Sequence, residues 1–136
     1  MGRPGLRLGG GDELFYLERV RYPLAENARP AMYHYAWTRP EFAAKIDSRR
    51  LITGRLTDLL REAGAIAAVI RENLSAVAAT ATEAHELDIA TGSPLLRLEE
   101  RRYDAEEYLF TLARFLIVPS FLQLEFEHTP GPADGG

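Results

Sequence analysis

The sequence predicts an α+β fold in which a mainly antiparallel sheet of about six strands is flanked by short helices. Three observations lead to this class. The 136 residues are enough for one domain with a single core. Strand-like segments occur in runs near both ends of the chain, and the helix-like segments between them are short. Helices grouped beside a mainly antiparallel sheet are typical of α+β proteins rather than of doubly wound ones.

The first predicted element is a β-hairpin. Residues 1–12 are rich in glycine and lack hydrophobic periodicity, so we expect a flexible arm. The segment ELFYLERVRY, which begins at residue 13, contains the aromatic and β-branched residues that favour strands. RPAMYHYAW has a similar composition and follows across the turn PLAENA. These two segments are predicted to pair as a hairpin with a loose connection.

Two short helices are predicted next. RPEFAAKID has Pro40 at a plausible first helical position, and its apolar residues Phe42, Ala43 and Ile46 have helical spacing. The leucines of TGRLTDLLREAG form one apolar stripe, and the pattern ends at Gly64. Glycine is the usual residue where a helix ends in a left-handed conformation. Both helices are therefore expected to cover one face of the sheet.

The middle of the chain is predicted to form a strand, a short helix and a corner. AIAAVIRENLSAVAA is ambiguous, because alanine favours a helix while its β-branched residues are compatible with a long buried strand, and we predict a strand. We expect Thr82 to cap the short helix EAHELDI. Gly92 ends the following turn, and Pro94 prevents further helix.

Three strands are predicted after this corner. They are LLRLEERRYD, YLFTLARFLIV and FLQLEFEH, and the last alternates apolar and polar residues regularly. Residues 129–136 are expected to form a disordered tail, so the folded domain is predicted to span residues 13–128.

The composition excludes several classes of function. Without cysteine, the chain has no disulfide, no thiolate nucleophile and no sulfur-ligated metal. A formal charge of -4 argues against nucleic-acid binding by this chain alone. Because there is neither a membrane-length apolar run nor a secretory leader, we expect a cytoplasmic protein without membrane association. Phosphate loops and nucleophile elbows are absent, and the three histidines lie in different elements, so no cofactor or metal is expected.

One run of residues resembles a known family. ATEAHELDIATGSPLLRLEERRYDAEE is similar to the second half of the UTRA domain, the effector-sensing domain of GntR-type transcriptional regulators of the HutC subfamily. The match is a short helix followed by Gly92, Pro94 and Arg97 in a Gly-x-Pro-Leu-Leu-Arg-Leu pattern, and then Tyr103 and Asp104 before a hairpin. The similarity extends over about residues 13–128.

This resemblance implies a fold and a function. UTRA domains resemble chorismate lyase, with a six-stranded antiparallel sheet flanked by helices. They bind a small metabolite, often a phosphorylated sugar or an organic acid, in a cleft beside the sheet, and they commonly form homodimers through their sheets. Binding alters how a linked N-terminal winged-helix dimer engages DNA. This chain has only its Gly-rich arm in that place, so we expect either an excised sensing domain or a stand-alone relative.

The resemblance also indicates candidate ligand-binding residues. The family's Arg-x-Arg on the first strand is present as Arg19 and Arg21, a plausible anchor for a carboxylate or phosphate, although exposed alternation on a strand explains the pair equally well. At positions where sugar-phosphate binders carry Glu, Ser, Tyr and a second Glu, this sequence has His34, Arg55, Thr57 and Thr111. Because these acidic partners for sugar hydroxyls are missing, we expect a smaller or more apolar anion.

Two alternatives to a sensor remain open. The apolar run YLFTLARFLIVPSF is compatible with a dimerisation or interaction module whose ligand cleft has degenerated. A chorismate lyase-like enzyme shares the implied fold, but the sequence shows no matching pair of a general acid and an anion-binding arginine. We therefore expect a non-enzymatic protein that forms a homodimer.

Overall fold

The computed structural model describes residues 15–51 and 54–132. Its elements follow one another in the order β1 (Phe15–Arg21), β2 (Met32–Thr38), α1 (Pro40–Ala43), a 3-10 turn (Ser48–Leu51), α2 (Leu56–Glu62), β3 (Val69–Ala78), α3 (Ala81–Leu87), β4 (Pro94–Tyr103), β5 (Leu109–Ile117) and a second 3-10 turn (Pro119–Phe121). The α+β class is confirmed. The arm predicted for residues 1–12 and the last four residues of the predicted tail lie outside the described residues.

The five strands form one antiparallel sheet in the order β1-β2-β5-β4-β3. The predicted first hairpin is confirmed, and a second hairpin, β4-β5, lies beside it. The expected sixth strand is not formed, because residues 122–130 pair with neither edge of the sheet. Leu124 and Phe126 are 52% and 90% exposed. Alternation creates a strand only where an edge is available to pair with it, so this prediction of strand number is wrong for the described residues.

The sheet carries a different core on each face. On one face, which we call the α3 side, Tyr33, Tyr35 and Trp37 of β2 pack with Leu87 of α3. On the other face, which we call the α2 side, the leucines of α2 pack against Ala36 and the β5 residues Phe110 and Ala113. Successive residues of β2 therefore alternate between two cores, which explains why six of its seven residues are buried.

Helix α2 forms where the sequence predicts it. Leu56, Leu59 and Leu60 are buried, and truncation of a leucine in such a position costs about 2–5 kcal/mol. The helix is followed by Gly64 at φ +94°, the left-handed conformation expected there. Helix α1 also begins at Pro40, but it ends at Ala43 and is therefore shorter than its apolar spacing suggested.

Two details of the middle segment differ from the sequence predictions. β3 is a strand as predicted, but it lies at the edge of the sheet and its first six residues are exposed, so it is not a buried strand. The cap of α3 is Thr80 rather than Thr82. The Thr80 hydroxyl accepts from the Glu83 amide, and the Glu83 carboxylate accepts from the Thr80 amide. This reciprocal capping box satisfies two amides that a cap at Thr82 would leave unpaired.

A bulge in β5 changes which side chains face α2. Arg102 of β4 is opposite Thr111, and its neighbour Tyr103 is opposite Leu109, so Phe110 is an extra residue. An extra residue shifts the alternation of a strand locally. As a result Phe110 packs with the α2 cluster while Thr111 also remains on the α2 side, opposite Thr38 of β2.

Candidate functional site

A cavity of about 280 Å³ lies on the α2 side of the sheet, between β1, β2, β4, β5 and the start of α2. All six residues that the sequence suggested for ligand binding line it, which are Arg19, Arg21, His34, Arg55, Thr57 and Thr111. Strand pairing brings them together, since Arg19 is opposite His34 and His34 is opposite Phe115 across three adjacent strands. Residues far apart in the chain thus surround one space.

Arg19 is held by the protein itself. Its Nε donates to Nδ1 of His34 over 3.1 Å, and its Nη1 donates to the carbonyl oxygens of Leu51 and Gly54 over 2.6 and 3.0 Å. Burial, followed by the charge of Arg21, lowers the pKa of Arg19 to about 10. Arg19 therefore ties β1 to β2 and to the chain before α2, a structural role that the sequence did not suggest when it gave Arg19 as an anion anchor.

His34 is a neutral, buried imidazole with one unused polar atom. Burial and then the charges of Arg19 and Arg21 lower its pKa to about 3. An arginine Nε can only donate, so Nδ1 of His34 is the acceptor and the ring proton is on Nε2. The side chain is 3% exposed, and Nε2 has no hydrogen-bond partner among the described residues. Its ring stacks on Phe115, with centroids 4.4 Å apart and planes 6° apart.

The charges around the cavity are unbalanced. Four arginines line it against a single carboxylate, that of Glu100. Glu100 is already paired with Arg102 over 3.0 Å, and both side chains are largely buried. Arg21 and Arg55 have no ion-pair partner within the described ranges. The cavity therefore has an excess of positive charge, although the whole chain is acidic.

Hydroxyl groups and apolar surface complete the lining. The Thr111 and Thr38 hydroxyl oxygens are 3.2 Å apart, and both residues are buried. One of the two hydroxyl hydrogens lies in that bond, which leaves the other available. Phe115 and Met32 supply apolar surface beside these polar groups. Such a combination of apolar walls with a few oriented polar groups is typical of small-molecule sites.

Glu100 and Arg102 also line the cavity, although neither was among the ligand-binding residues suggested by the sequence. A signal for them exists in the period-2 pattern of β4. Leu96 and Leu98 are on the α2 side, so Glu100 and Arg102, two and four residues beyond Leu98, must also be there. Strand alternation would have placed both charges beside the cavity once the α2 side was known.

A second, more open space of about 540 Å³ lies along the outer surface of α2. Its most prominent charges, Arg50 and Glu62, bond to each other through two contacts of 2.6 and 3.1 Å. Both side chains are more than half exposed, so this groove presents a satisfied surface pair. The cavity on the sheet is the better candidate because its lining includes a buried polar atom, Nε2 of His34, that has no hydrogen-bond partner among the described residues.

Two further observations concern the described part of the chain. None of its helices is both long enough and apolar enough to cross a bilayer. No group of three or more acidic or histidine side chains in the described ranges is arranged to hold a metal ion.

Solved structures share this architecture. A possible transcriptional regulator, YydK from Bacillus subtilis, superimposes with a TM-score of 0.75 at 17% identity, over 89% of this chain and 53% of that chain. The ligand-binding domain of a putative GntR-family regulator from Bordetella bronchiseptica gives 0.72 at 21% identity, over 91% and 75% of the two chains. A putative transcriptional regulator from Streptomyces coelicolor gives 0.73 at 27% identity, over 88% and 77%.

These similarities place the chain in a class of small α+β domains that are built on one antiparallel sheet. The UTRA domain family model matches residues 3–121. The chain therefore belongs to the UTRA domain family, as its Gly-x-Pro corner indicated. It spans about half the length of YydK. A comparison with curated proteins finds no match.

Proposed function

We propose that this chain is the effector-binding sensor domain of a GntR-type bacterial transcriptional regulator of the HutC subfamily. In this proposal DNA is contacted by a separate winged-helix domain, and the protein acts in the cytoplasm. Family membership and the similarity to a GntR-family ligand-binding domain support the sensor role. The acidic charge of the chain agrees with DNA contact by another domain.

The proposed effector is a small anion, and one observation carries this part of the proposal. Four guanidinium groups face a cavity with one carboxylate, and Arg21 and Arg55 lack an acidic partner within the described ranges. Guanidinium groups bind carboxylates and phosphates through charge-assisted hydrogen bonds. We assign the anchor to Arg21 and Arg55, with Thr57 and Thr111 near the bound group. Arg19 supports this arrangement by holding His34 and the carbonyls before α2.

Binding rather than catalysis fits the state of the ionisable groups. General acid-base catalysis needs a group whose pKa lies near the working pH. The pKa of His34 is lowered to about 3, and the carboxylate of Glu100 is paired with Arg102. His34 is therefore not ready to exchange protons with a substrate near neutral pH, which supports a receptor over a chorismate lyase-like enzyme.

A homodimer is also part of the proposal. Ile70 and Leu74 of the edge strand β3 are 44% and 41% exposed on the α2 side of the sheet. Beyond β5, residues 122–127 alternate apolar and polar side chains without a partner strand in the described chain. A second copy would cover both features, and the family resemblance implies pairing through sheets. These features also support the second candidate function, a dimerisation module with a degenerate cleft.

A calorimetric screen tests the two candidates against each other. Small carboxylates and phosphate esters should be titrated into the wild type and into Arg21→Ala, while light scattering records the molar mass. A sensor binds at least one anion, and this binding weakens in the variant. A dimer that binds no anion would instead favour the dimerisation module, and a monomer at tens of micromolar would contradict the homodimer.

A further inference from the structure

The buried Nε2 of His34 is the feature that the anion-binding proposal does not use. This nitrogen belongs to a side chain that is 3% exposed, lines the cavity and has no hydrogen-bond partner among the described residues. A buried donor without a partner is costly, so native proteins nearly always satisfy such a group. The partner of this donor is therefore expected to arrive with the ligand.

The hydrogen-bond polarity of this nitrogen is fixed by geometry. The Arg19 Nε has a hydrogen and no lone pair, and it lies 3.1 Å from Nδ1 of His34. Nδ1 must therefore accept, and a neutral ring then carries its hydrogen on Nε2. The stacked Phe115 ring at 4.4 Å holds the imidazole plane in place. The cavity thus presents a donor of fixed direction, beside the positive charge of Arg21.

We propose that the effector carries two recognition groups, an anionic group for Arg21 and Arg55 and a hydrogen-bond acceptor, such as a ring nitrogen, carbonyl or ether oxygen, for Nε2–H of His34. This inference rests on the anion-receptor function proposed above. It restricts the ligand class, because a molecule that offers only an N–H donor or an ammonium group at this point leaves Nε2 unsatisfied.

The spacing of the two groups suits a small ligand. Arg19 is directly opposite His34, and Arg21 lies two residues further along β1, so Arg21 is a diagonal neighbour of His34. Diagonal positions on adjacent strands are roughly 7–8 Å apart. A six-membered ring with a carboxylate can bridge such positions, and its flat face can lie against the apolar surface of Met32 and Phe115. The cavity volume of about 280 Å³ accommodates a molecule of this size.

Three matched carboxylates test the acceptor. Benzoate, nicotinate and isonicotinate have the same shape, but only the last two have a ring nitrogen that can accept from Nε2–H. Calorimetry of the wild type is expected to give affinity about tenfold higher for at least one pyridine carboxylate than for benzoate, since benzoate buries the donor unpaired. Equal affinities for all three would overturn the proposal while leaving the anion receptor intact. Failure of all three to bind at millimolar concentration would contradict the anion receptor itself, and the acceptor proposal with it.

Two variants of His34 provide matched controls. The amide of His34→Asn reaches the place of Nδ1 and keeps an acceptor for Arg19, but it removes the donor at the Nε2 position. The amide of His34→Gln reaches the Nε2 position and keeps a donor there. The preference for the pyridine carboxylate should disappear in His34→Asn and persist at least in part in His34→Gln. If both variants kept the preference for the pyridine carboxylate, this result would contradict the role of Nε2.

The tautomer can be measured without any ligand or variant. Long-range proton-nitrogen NMR spectra of the wild-type imidazole distinguish the protonated ring nitrogen from the unprotonated one. We expect hydrogen on Nε2 alone at pH 7, and a downfield shift of that hydrogen on addition of the tighter-binding pyridine carboxylate. Hydrogen on Nδ1, or a shift that benzoate produces equally, would overturn the proposal even if every variant failed to fold.

Discussion

The guanidinium group of Arg19 lies between His34 and the chain before α2, donating to Nδ1 of His34 over 3.1 Å and to the carbonyls of Leu51 and Gly54. Its neighbour on the same face, Arg21, makes no such contact in the described structure. Two arginines that look equivalent in the sequence therefore differ in the structure: Arg19 holds the site together, and Arg21 is left for the role of anion anchor proposed above.

Replacement of these arginines should separate stability from binding. Arg19→Met is expected to lower the free energy of unfolding by roughly 2–4 kcal/mol, because it leaves two carbonyls and a buried imidazole nitrogen without a donor. Arg21→Met should change that free energy by no more than about 0.5 kcal/mol, since no internal partner is lost. Urea denaturation measures both values. Equal losses in the two variants would contradict the assignment of Arg19 as the positioning residue.

Anion affinity should depend on the face of the sheet that carries the arginine. Arg21→Ala is expected to weaken binding of a carboxylate by about tenfold or more, because a charge-assisted hydrogen bond is lost. Arg97→Ala is a matched control, since Arg97 lines a different cavity on the α3 side. Calorimetry should show unchanged affinity in this control. Similar losses in both variants would indicate a general charge effect rather than a local anchor.

The stability of the fold should depend on pH through His34. Its pKa is lowered to about 3 in the folded protein, whereas an unfolded histidine titrates near 6.5. Above about pH 6.5 His34 is neutral in both the folded and the unfolded protein, so it causes no loss of stability there. As the pH falls toward 3, only the unfolded state takes up the proton, so stability decreases by up to about 1.4 kcal/mol per pH unit.

The contribution of His34 can be isolated with His34→Gln. Urea denaturation at pH 7, 6, 5 and 4 should show a steeper loss of stability for the wild type than for the variant, since the acidic residues contribute to both. Parallel curves over this range would contradict a buried, neutral His34.

The corner before β4 should tolerate only residues that accept a left-handed backbone. Gly92 has φ +85°, and no atom lies within 4 Å of where a Cβ would be, so the cost of substitution is conformational rather than steric. Gly92→Ala should lower the free energy of unfolding by about 1–2 kcal/mol, Gly92→Val should lower it by more, and Gly92→Asn by less. Thermal unfolding measures this order, and anion affinity should be unchanged in each folded variant. A Gly92→Val protein of wild-type stability would contradict the structural role of this glycine.

The cap of α3 gives a comparison between two threonines in the same turn. Thr80→Ala is expected to reduce stability by about 1 kcal/mol, because the Glu83 amide loses its acceptor. Thr82→Ala should have a smaller effect. If chemical denaturation found the larger loss at Thr82, the capping box seen here would be wrong.

Sequence reasoning predicted much of this fold, because its signals are local. The leucine spacing of α2, the left-handed Gly64 and the pairing of β1 with β2 depend on neighbours within a few residues of one another. The prediction of a sixth strand was wrong because strand formation is not decided locally. Alternation in residues 122–127 says which side chains share a face, but the existence of a strand depends on a distant edge.

Prediction of the site was also limited by distance in the sequence. The resemblance to the family selected six residues that the structure brings around one cavity, but it could not distinguish Arg19 from Arg21. That difference comes from carbonyls more than thirty residues away. The direction of the His34 donor depends on Arg19 in the same way, so neither role could be deduced from strand alternation.

The most direct test of an anion-binding cavity is an NMR titration of the protein with benzoate and isonicotinate, which follows backbone amides and arginine Nε–H groups together. We expect the largest shifts on Arg21, Thr57 and Thr111 around the cavity on the α2 side. Shifts concentrated on Arg97 and Arg114 of the opposite face, or no shift at millimolar concentrations, would contradict an anion-binding cavity beneath α2.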